Sequence, residues 1–193
     1  MDIVFASNNN GKINQVKKFI NYANVLSLKD CGICIDVEET GTTFEENAII
    51  KAKEISKFTD KIVIADDSGL EINEYNGWPG VYTHRFLGEN CTTEQRNDYI
   101  LEKMKGLPYE KRACTIKCVI AVSYKGIVKT FTGEFNSHIL EKKIGDNNFG
   151  FDEITETSNG QSVACLCDED KLKINARSMA LKKASEYIKT LNN

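Results

Sequence analysis

The sequence contains no apolar run long enough to cross a membrane. Its longest apolar stretches, such as Ile62–Ala65, are far shorter than the roughly 20 residues that a membrane-spanning helix requires. Asp2 and the short Ile3–Ala6 run provide neither the basic segment nor the apolar segment of a secretory signal. We therefore expect a cytoplasmic protein with no membrane partner.

The chain also lacks an excess of basic charge. Lysine and arginine number 25 against 28 acidic residues, and the resulting net charge of −3 disfavours a surface for nucleic acid polymers. The cysteine count of 7 is odd, and no export signal accompanies it, which argues against a disulfide framework. Neither of the 2 histidines lies at finger-like spacing from the pairs Cys31–Cys34 and Cys165–Cys167. Buried reduced thiols are therefore favoured over a zinc site.

The order of patterned segments predicts a mixed α/β fold. No repeat, low-complexity tract or linker divides the 193 residues, so we expect one domain spanning 1–193. Helices early and late in the chain, around a hairpin-rich middle, favour a mixed sheet flanked by helices. The main elements expected are a helix from about Lys12, a capping box at Thr43, a helix from Thr92 or Thr93, a hairpin of Arg112–Ser123 with Ile127–Phe135, and a last helix from about Ala176.

Asp66 and Asp67 follow the apolar strand Ile62–Ala65, which we expect to end at Asp66. Two adjacent carboxylates repel each other and are costly to bury, unless a divalent cation or a lysine lies beside them. Neighbouring strand side chains point to opposite faces, so one aspartate should face a site and the other a structural partner. The alternative is that Asp-Ser-Gly simply forms a turn after the strand.

A polar turn, Ser7–Lys12, links the first strand to the first helix. Its members are Ser7, Asn8, Asn9, Asn10, Gly11 and Lys12. Free N–H groups at a helix N-terminus attract anions, and a lysine adds a full positive charge. The turn is not a P-loop, because it lacks the first glycine and a Ser or Thr after the lysine. An asparagine-rich turn that only caps the helix is the alternative.

Three further groups are candidates for a site. Glu38 and Glu39 precede a helix that carries Lys51, so acidic and basic groups could share one cleft. Aromatic residues beside an acceptor, as in Phe149–Asp152, can stack on a base and bind its edge, although such aromatics are more often core. Lys171 and Arg177 near the last helix could bind phosphate or a base, or could be ordinary surface charges.

Taken together, these segments resemble the inosine triphosphate pyrophosphatase family. The matching motifs occur in the family's order over nearly the whole chain: Ser7–Lys12, Glu38–Gly41, Phe44–Ala48 with Lys51-Ala52, Ala65–Leu70, Gly77–Tyr82, Phe149–Asp152, and Arg177 before Ala180-Leu181. Any one motif is weak alone, whereas the ordered set is specific.

The resemblance implies an elongated mixed sheet with two lobes around a nucleotide cleft, and a homodimer. It implies hydrolysis of the non-standard purine nucleoside triphosphates ITP, dITP and XTP to the monophosphate and pyrophosphate, with Mg²⁺. For the phosphates, the resemblance implies triphosphate binding by Ser7–Lys12 and Lys51 and metal binding by Glu38 and Asp67. It implies that Asp67 is also the general base and that Ser68 contacts the substrate. The residues it implies for base recognition are Phe149, Gly150, Phe151, Asp152, Lys171, Ala176 and Arg177.

The sequence departs from the family pattern around the expected base pocket. The family's Ser-His-Arg-Gly run reads Asn175-Ala176-Arg177-Ser178, which replaces the base-contacting histidine with Ala176. Glu153 replaces the proline that usually follows the Phe-Gly-aromatic-Asp run, and the glycine-rich segment before that run reads Gly145–Asn148. His84 occupies a position where the family commonly has a small or basic residue. Retained pyrophosphohydrolase chemistry with looser or shifted base selectivity is therefore the alternative to the family's usual preference for non-standard purine nucleotides.

Two other functional classes compete with this enzyme. A nucleotide-binding or sensor protein with weak turnover would keep the pocket, but the presence of Asp67, Glu38 and Lys12 disfavours it. A module that stacks single-stranded nucleic acid on Phe149 and Phe151 is disfavoured by the acidic balance of the chain.

Overall fold

A computed structural model describes residues 1–88, 90–146 and 149–191. Asn147 and Asn148, which belong to the segment Gly145–Asn148 before Phe149, lie outside the described residues. The strands are β1 (Asp2–Phe5), β2 (Asn24–Ser27), β3 (Ile62–Ile72), β4 (Trp78–Pro79), β5 (Ala113–Tyr124) and β6 (Ile127–His138). The α-helices are α1 (Asn10–Phe19), α2 (Phe44–Ile55), α3 (Thr93–Lys103), α4 (Asp168–Ile174) and α5 (Ala176–Thr190).

The strands form a six-stranded sheet in the order β2-β1-β3-β5-β6, with β4 paired to β3. β1 pairs in parallel with both β2 and β3, so β1, α1 and β2 form a βαβ unit. β2 was not predicted, because Asn24–Ser27 has only four residues and no clear alternation. β5 and β6 form the predicted hairpin around Lys125 and Gly126, which both have positive φ angles. The mixed α/β class is therefore confirmed.

β3 is longer than expected, because it continues through both aspartates to Ile72. The expectation that the strand ends at Asp66 is therefore wrong. A buried carboxylate does not interrupt a strand when cations compensate its charge, and lysine side chains lie beside both aspartates. The alternation of side chains along β3 consequently governs which way each aspartate points.

Local capping interactions explain where the helices begin. Asn9 caps α1, since its side chain accepts a hydrogen bond from the Lys12 N–H at 3.1 Å. The predicted capping box at α2 is confirmed: Thr43 accepts from the Glu46 N–H at 3.1 Å, and Glu46 accepts from the Thr43 N–H at 3.2 Å. One face of α2 is buried, at the helically spaced residues Phe44, Ala48, Ala52 and Ile55.

The chain divides into two compact units. Unit 1 comprises 1–68, 118–133 and 176–193, and unit 2 comprises 69–117 and 134–175. Buried residues in the core of unit 1 include Val4, Leu28, Ile33, Ile55 and Val63. Those in the core of unit 2 include Leu70, Ile72, Ile100, Met104, Cys114, Ile139 and Ile154. Across the described ranges, no helix has both the length and the apolar character needed to cross a membrane.

Candidate functional site

Asp66 is the centre of a buried ion network in unit 1. Only 2% of the residue is exposed, and two cations contact its carboxylate. Lys12 lies at the start of α1 with Nζ 3.1 Å from Asp66 Oδ2. Arg177, in the first turn of α5, places Nη2 2.9 Å and Nε 3.1 Å from the same oxygen. Arg177 also donates to Gln15 Oε1 and to Ser68 Oγ, each at 3.0 Å.

The surroundings of Asp66 keep it ionised. Burial raises the pKa of this carboxyl, but the charges of Lys12, Arg177 and Lys51 outweigh burial and hold the pKa well below its ordinary value. The pKa of Arg177 is raised, because its attraction to Asp66 exceeds the effect of burial, which acts in the opposite direction. Asp66 is therefore a fixed anion that ties α1 and α5 to β3.

Asp67 points away from this network and into a second one. Lys51 of α2 lies with Nζ 3.6 Å from Asp67 Oδ1 and 2.7 Å from Glu39 Oε1. The backbone N–H of Ser68 donates to Asp67 Oδ1 at 3.0 Å. Asp67 Oδ2 is buried and has no hydrogen-bond partner among the residues that the structure describes. The predicted separation of the two aspartates onto opposite faces is thus what β3 produces.

The pKa of Asp67 is shifted in the opposite direction to that of Asp66. Burial raises the pKa of Asp67, and the negative charges of Glu39 and Asp66 add to this increase, while Lys51 opposes it. Lys51 itself has a raised pKa, because the three surrounding carboxylates outweigh the effect of burial. A buried carboxylate with a raised pKa beside a lysine is suited to accept a proton or to orient a water molecule.

Asn47 completes this group from the first turns of α2. The residue is 0% exposed, and its Oδ1 accepts a hydrogen bond from the Gly41 N–H at 2.8 Å. Its Nδ2 is buried and has no hydrogen-bond partner within 1–88, 90–146 and 149–191. A Cβ atom at Gly41 would lie 2.7 Å from Asn47 Oδ1 and 2.6 Å from Glu46 Cβ. Only glycine therefore allows the segment that carries Glu39 to approach α2 this closely.

The predicted turn Ser7–Lys12 lies at the start of α1, as expected. Ser7 Oγ accepts from the Asn9 N–H at 3.1 Å, and Asn8 Oδ1 accepts from the Lys29 N–H at 3.3 Å. Asn10 and Gly11 are exposed in the first turn of the helix. The turn thus combines a helix N-terminus with Lys12, which is 3.1 Å from Asp66.

The expected base-recognition residues divide between the units. Five of them lie in unit 2: Phe149, Gly150, Phe151, Asp152 and Lys171. In this unit, Lys171 Nζ is 3.7 Å from Asp152 Oδ2, and the Gly150 carbonyl oxygen accepts a hydrogen bond from Asn97 Nδ2 at 3.1 Å. Phe149 is exposed, and Phe151 packs against the core of unit 2. Ala176 and Arg177 lie in unit 1, where Ala176 is buried and Arg177 contacts Asp66.

Two contributors to the unit 1 site, Gln15 and Asn47, were not given a role from the sequence. Gln15 lies one turn after Lys12 on α1, a spacing that could have indicated it. Asn47 stands inside the motif Phe44–Ala48 but was interpreted only as part of that motif. Glu39, rather than the predicted Glu38, reaches Lys51, and Glu38 is exposed. No sequence pattern distinguishes these two adjacent acids.

The oxygen donors present fit a hard divalent cation. Mg²⁺ commonly binds through one or two carboxylates and completes its shell with water and substrate phosphates. Asp67 and Glu39 both lie beside Lys51, with Asp67 Oδ1 3.6 Å and Glu39 Oε1 2.7 Å from its Nζ. In the part of the chain that the structure describes, no group of three or more His, Cys, Asp or Glu side chains could hold a metal ion. Two carboxylates match the number that Mg²⁺ commonly takes from a protein when water and phosphate oxygens complete its shell.

These features define a mixed α/β protein with a buried carboxylate and cation site. The model of the Ham1 family matches residues 3–187, and the chain belongs to this family. The dITP/XTP pyrophosphatase of Thermoanaerobacter sp. (strain X514) is 44% identical over 191 residues, with coverage of 97% of this chain and 96% of the relative. The protein of the same name from Bacillus subtilis (strain 168) is 38% identical over 191 residues, with the same coverage of 97% and 96%.

Two solved structures support the same assignment. The Staphylococcus aureus Ham1 protein superposes with a TM-score of 0.90 at 38% identity, covering 98% of this chain and 99% of that chain. The HAM1 protein from Coxiella burnetii gives a TM-score of 0.90 at 32% identity, with the same coverage of 98% and 99%. The family resemblance inferred from the ordered motifs is therefore confirmed.

Proposed function

We propose that this protein hydrolyses dITP, XTP and ITP to the nucleoside monophosphate and pyrophosphate, and so removes them from the nucleotide pool. Relatives that match nearly the whole chain carry the name dITP/XTP pyrophosphatase. The observation that carries the proposal is the second network: Asp67 offers a buried, unpaired oxygen beside Lys51 and Glu39. Such an arrangement can hold a water molecule against a phosphate whose charge is balanced by nearby cations.

Asp66 and Asp67 have different roles in the proposed reaction. Attack of water on the α-phosphorus builds negative charge on the departing pyrophosphate, which Lys12 and Lys51 stabilise electrostatically. Asp67 orients the water and accepts its proton. Asp66 does not share the base role, because Lys12 and Arg177 keep its pKa low and hold its oxygens. Asp66 instead holds Lys12 in place.

Mg²⁺ is the divalent cation that we propose for this site. Asp67 and Glu39 are the carboxylates that would hold it, and Glu39 takes the role predicted for Glu38, because Glu39 is the one beside Lys51. When bound, the ion neutralises phosphate charge and lowers the pKa of a coordinated water. The remaining roles stay as predicted, with Ser7–Lys12 for the triphosphate and Ser68 for substrate contact.

Base recognition is assigned to Phe149–Asp152, Lys171, Ala176 and Arg177. Because Arg177 already binds Asp66, Gln15 and Ser68, we propose that it acts on the base chiefly through the position of α5. Residues 1–193 are proposed to work as one domain, since the family model spans parts of both units. We also propose that the protein is a homodimer and that it acts in the cytoplasm, because its nucleotide substrates are there.

A nucleotide panel tests this function against its alternatives. We expect pyrophosphate from ITP, dITP and XTP in the presence of Mg²⁺, and much less from ATP and GTP. Similar rates for all five nucleotides would instead support the altered selectivity suggested by Ala176 and Glu153. Tight nucleotide binding without metal-dependent turnover would favour a sensor protein. Orthophosphate as the sole product would overturn attack at the α-phosphorus.

A further inference from the structure

Asn47 presents a fixed hydrogen-bond donor inside the second network. Its Oδ1 accepts from the Gly41 N–H at 2.8 Å, and this bond determines which side of the amide carries the nitrogen. The side chain lies beside Asp67 and lowers the pKa of that carboxyl. No hydrogen bond of normal geometry joins the two side chains, since Asn47 Nδ2 and Asp67 Oδ2 both lack partners among the described residues. Two interacting side chains thus carry a buried donor and a buried acceptor, each without a hydrogen bond in this part of the chain.

Unsatisfied buried polar groups are rare in folded proteins, because each has lost the hydrogen bonds that it makes with water in the unfolded chain. The chemistry of the two atoms limits what could satisfy both. An amide nitrogen only donates, so a cation cannot be its partner. An ionised carboxylate oxygen only accepts, so a phosphate oxygen cannot be the partner of Asp67. A water molecule can accept from Asn47 and donate to Asp67 at the same time.

We infer that Asn47 is a catalytic residue whose Nδ2 donates a hydrogen bond to the attacking water, while Asp67 Oδ2 accepts one from it. The inference rests on the proposed function and deepens it. Two hydrogen bonds of opposite sense fix the direction of the remaining lone pair on the water oxygen. Such orientation is a recognised source of rate acceleration when the reacting atoms are held near contact distance.

Atoms and electrons balance in this step. The water oxygen forms a bond to the α-phosphorus, and the bond from the α-phosphorus to the bridging oxygen breaks. The electron pair of that bond leaves with pyrophosphate. One proton of the water passes to Asp67 through the hydrogen bond on Oδ2, and the other remains on the product oxygen until it exchanges with solvent. Asn47 keeps its protons throughout and only orients the oxygen.

The competing explanation is that Asn47 is purely structural, since its bond to Gly41 holds the segment that carries Glu39. Two substitutions separate these roles. Asn47→Asp keeps an oxygen for the Gly41 N–H but removes the donor and adds charge. Asn47→Leu removes the oxygen and the donor without adding charge. Lys53→Ala, at an exposed position of the same helix, serves as the control for altering α2.

The experiment measures pyrophosphate release from dITP with Mg²⁺, binding of a non-hydrolysable α,β-imido analogue by calorimetry, and thermal unfolding. We expect both Asn47 variants to lose about 10²-fold or more in kcat, as is usual for the loss of one donor at a reacting group. Analogue affinity in Asn47→Leu should change by less than about threefold, since the donor serves the water and not the nucleotide. Lys53→Ala should match the unaltered protein.

Each other outcome overturns the inference in a distinct way. Full kcat in Asn47→Asp would leave only the structural role. A loss of kcat in Asn47→Asp, with normal kcat in Asn47→Leu, would mean that the added charge causes the loss. A large loss of analogue affinity in Asn47→Leu would make Asn47 a phosphate ligand. If the unaltered protein itself releases no pyrophosphate from dITP, the proposed function fails, whereas normal kcat in the unaltered protein and in both Asn47 variants overturns the inference alone.

Discussion

Arg177 and Asp66 form a buried ion pair between residues 111 positions apart in the chain, with Nη2 2.9 Å and Nε 3.1 Å from Asp66 Oδ2. The Arg177 side chain is only 10% exposed, and it also bonds Gln15 and Ser68. This one guanidinium therefore links α1, β3 and α5. The pair holds Lys12 and Ser68 in the positions where both are proposed to meet the substrate.

Arg177→Met is expected to destabilise the fold strongly. It leaves Asp66 buried with Lys12 as its remaining direct cation, and removing one partner of a buried pair typically costs about 3–5 kcal/mol. The free energy of unfolding in urea measures the loss. Lys105→Met is the control, because the Lys105–Glu102 pair is 74% exposed on both sides and is worth about 0–1 kcal/mol. Equal losses in the two variants would contradict the account.

The stability of the protein should depend on the ionisation of Asp66 at acid pH. Its pKa in the folded state lies below the ordinary value of 3.8, so the unfolded chain binds the proton more readily. The stabilisation is therefore complete above pH 4 and is lost as the pH falls through the folded pKa. The stability gap between the natural protein and Asp66→Asn should narrow by about 1 kcal/mol between pH 6 and pH 3. A constant gap in urea unfolding would show that Asp66 is not the group responsible.

Glu39 and Glu38 form a matched pair for testing the metal assignment. Glu39→Gln removes a carboxylate beside Lys51 and Asp67, so the Mg²⁺ concentration that gives half-maximal activity should rise about tenfold or more. Glu38→Gln alters an exposed neighbour and should leave that concentration unchanged. Direct Mn²⁺ binding by electron paramagnetic resonance gives a readout independent of turnover. The opposite pattern would restore Glu38 as the ligand.

Gly133 is expected to tolerate no side chain. A Cβ atom there would lie 2.0 Å from the Ala176 carbonyl oxygen and 2.8 Å from the Ala180 nitrogen. Gly133→Ala must therefore push the first turn of α5 away from β6, which displaces Arg177 from Asp66. We expect a loss of about 1–3 kcal/mol, typical of overpacking, together with a lower kcat. Thr132→Ala, on the opposite face of β6, is the control and should retain both stability and kcat.

Asp67→Asn is expected to abolish most turnover and to leave the fold intact. The amide keeps the shape of the side chain but cannot accept the proton, and loss of a general base commonly lowers kcat by about 10²–10⁴-fold. Unfolding in urea should show stability close to that of the natural protein. Near-normal kcat would remove Asp67 from the centre of the mechanism.

Local sequence rules govern part of the site, and that part is predictable. The capping box of Thr43 and Glu46 follows from residues three apart, and the opposite orientations of Asp66 and Asp67 follow from strand alternation. The ordered family motifs alone indicate Lys12, Lys51 and Asp67 as members of one site. These predictions need no knowledge of how distant segments meet.

The remaining features depend on contacts between distant segments. The choice of Glu39 over Glu38 depends on the path of an irregular segment that Gly41 allows to approach α2. The pairing of Arg177 with Asp66 depends on the packing of α5 against β6 at Gly133. The continuation of β3 beyond Asp66 depends on cations supplied by α1 and α5. No pattern within one segment specifies such arrangements.

Water oriented at Asp67 is proposed to attack the α-phosphorus. Hydrolysis of dITP in water enriched in oxygen-18, followed by mass spectrometry of both products, tests this attack. We expect the label to enter the nucleoside monophosphate and the pyrophosphate to remain unlabelled. Label in the pyrophosphate, or release of orthophosphate with a nucleoside diphosphate, would contradict it.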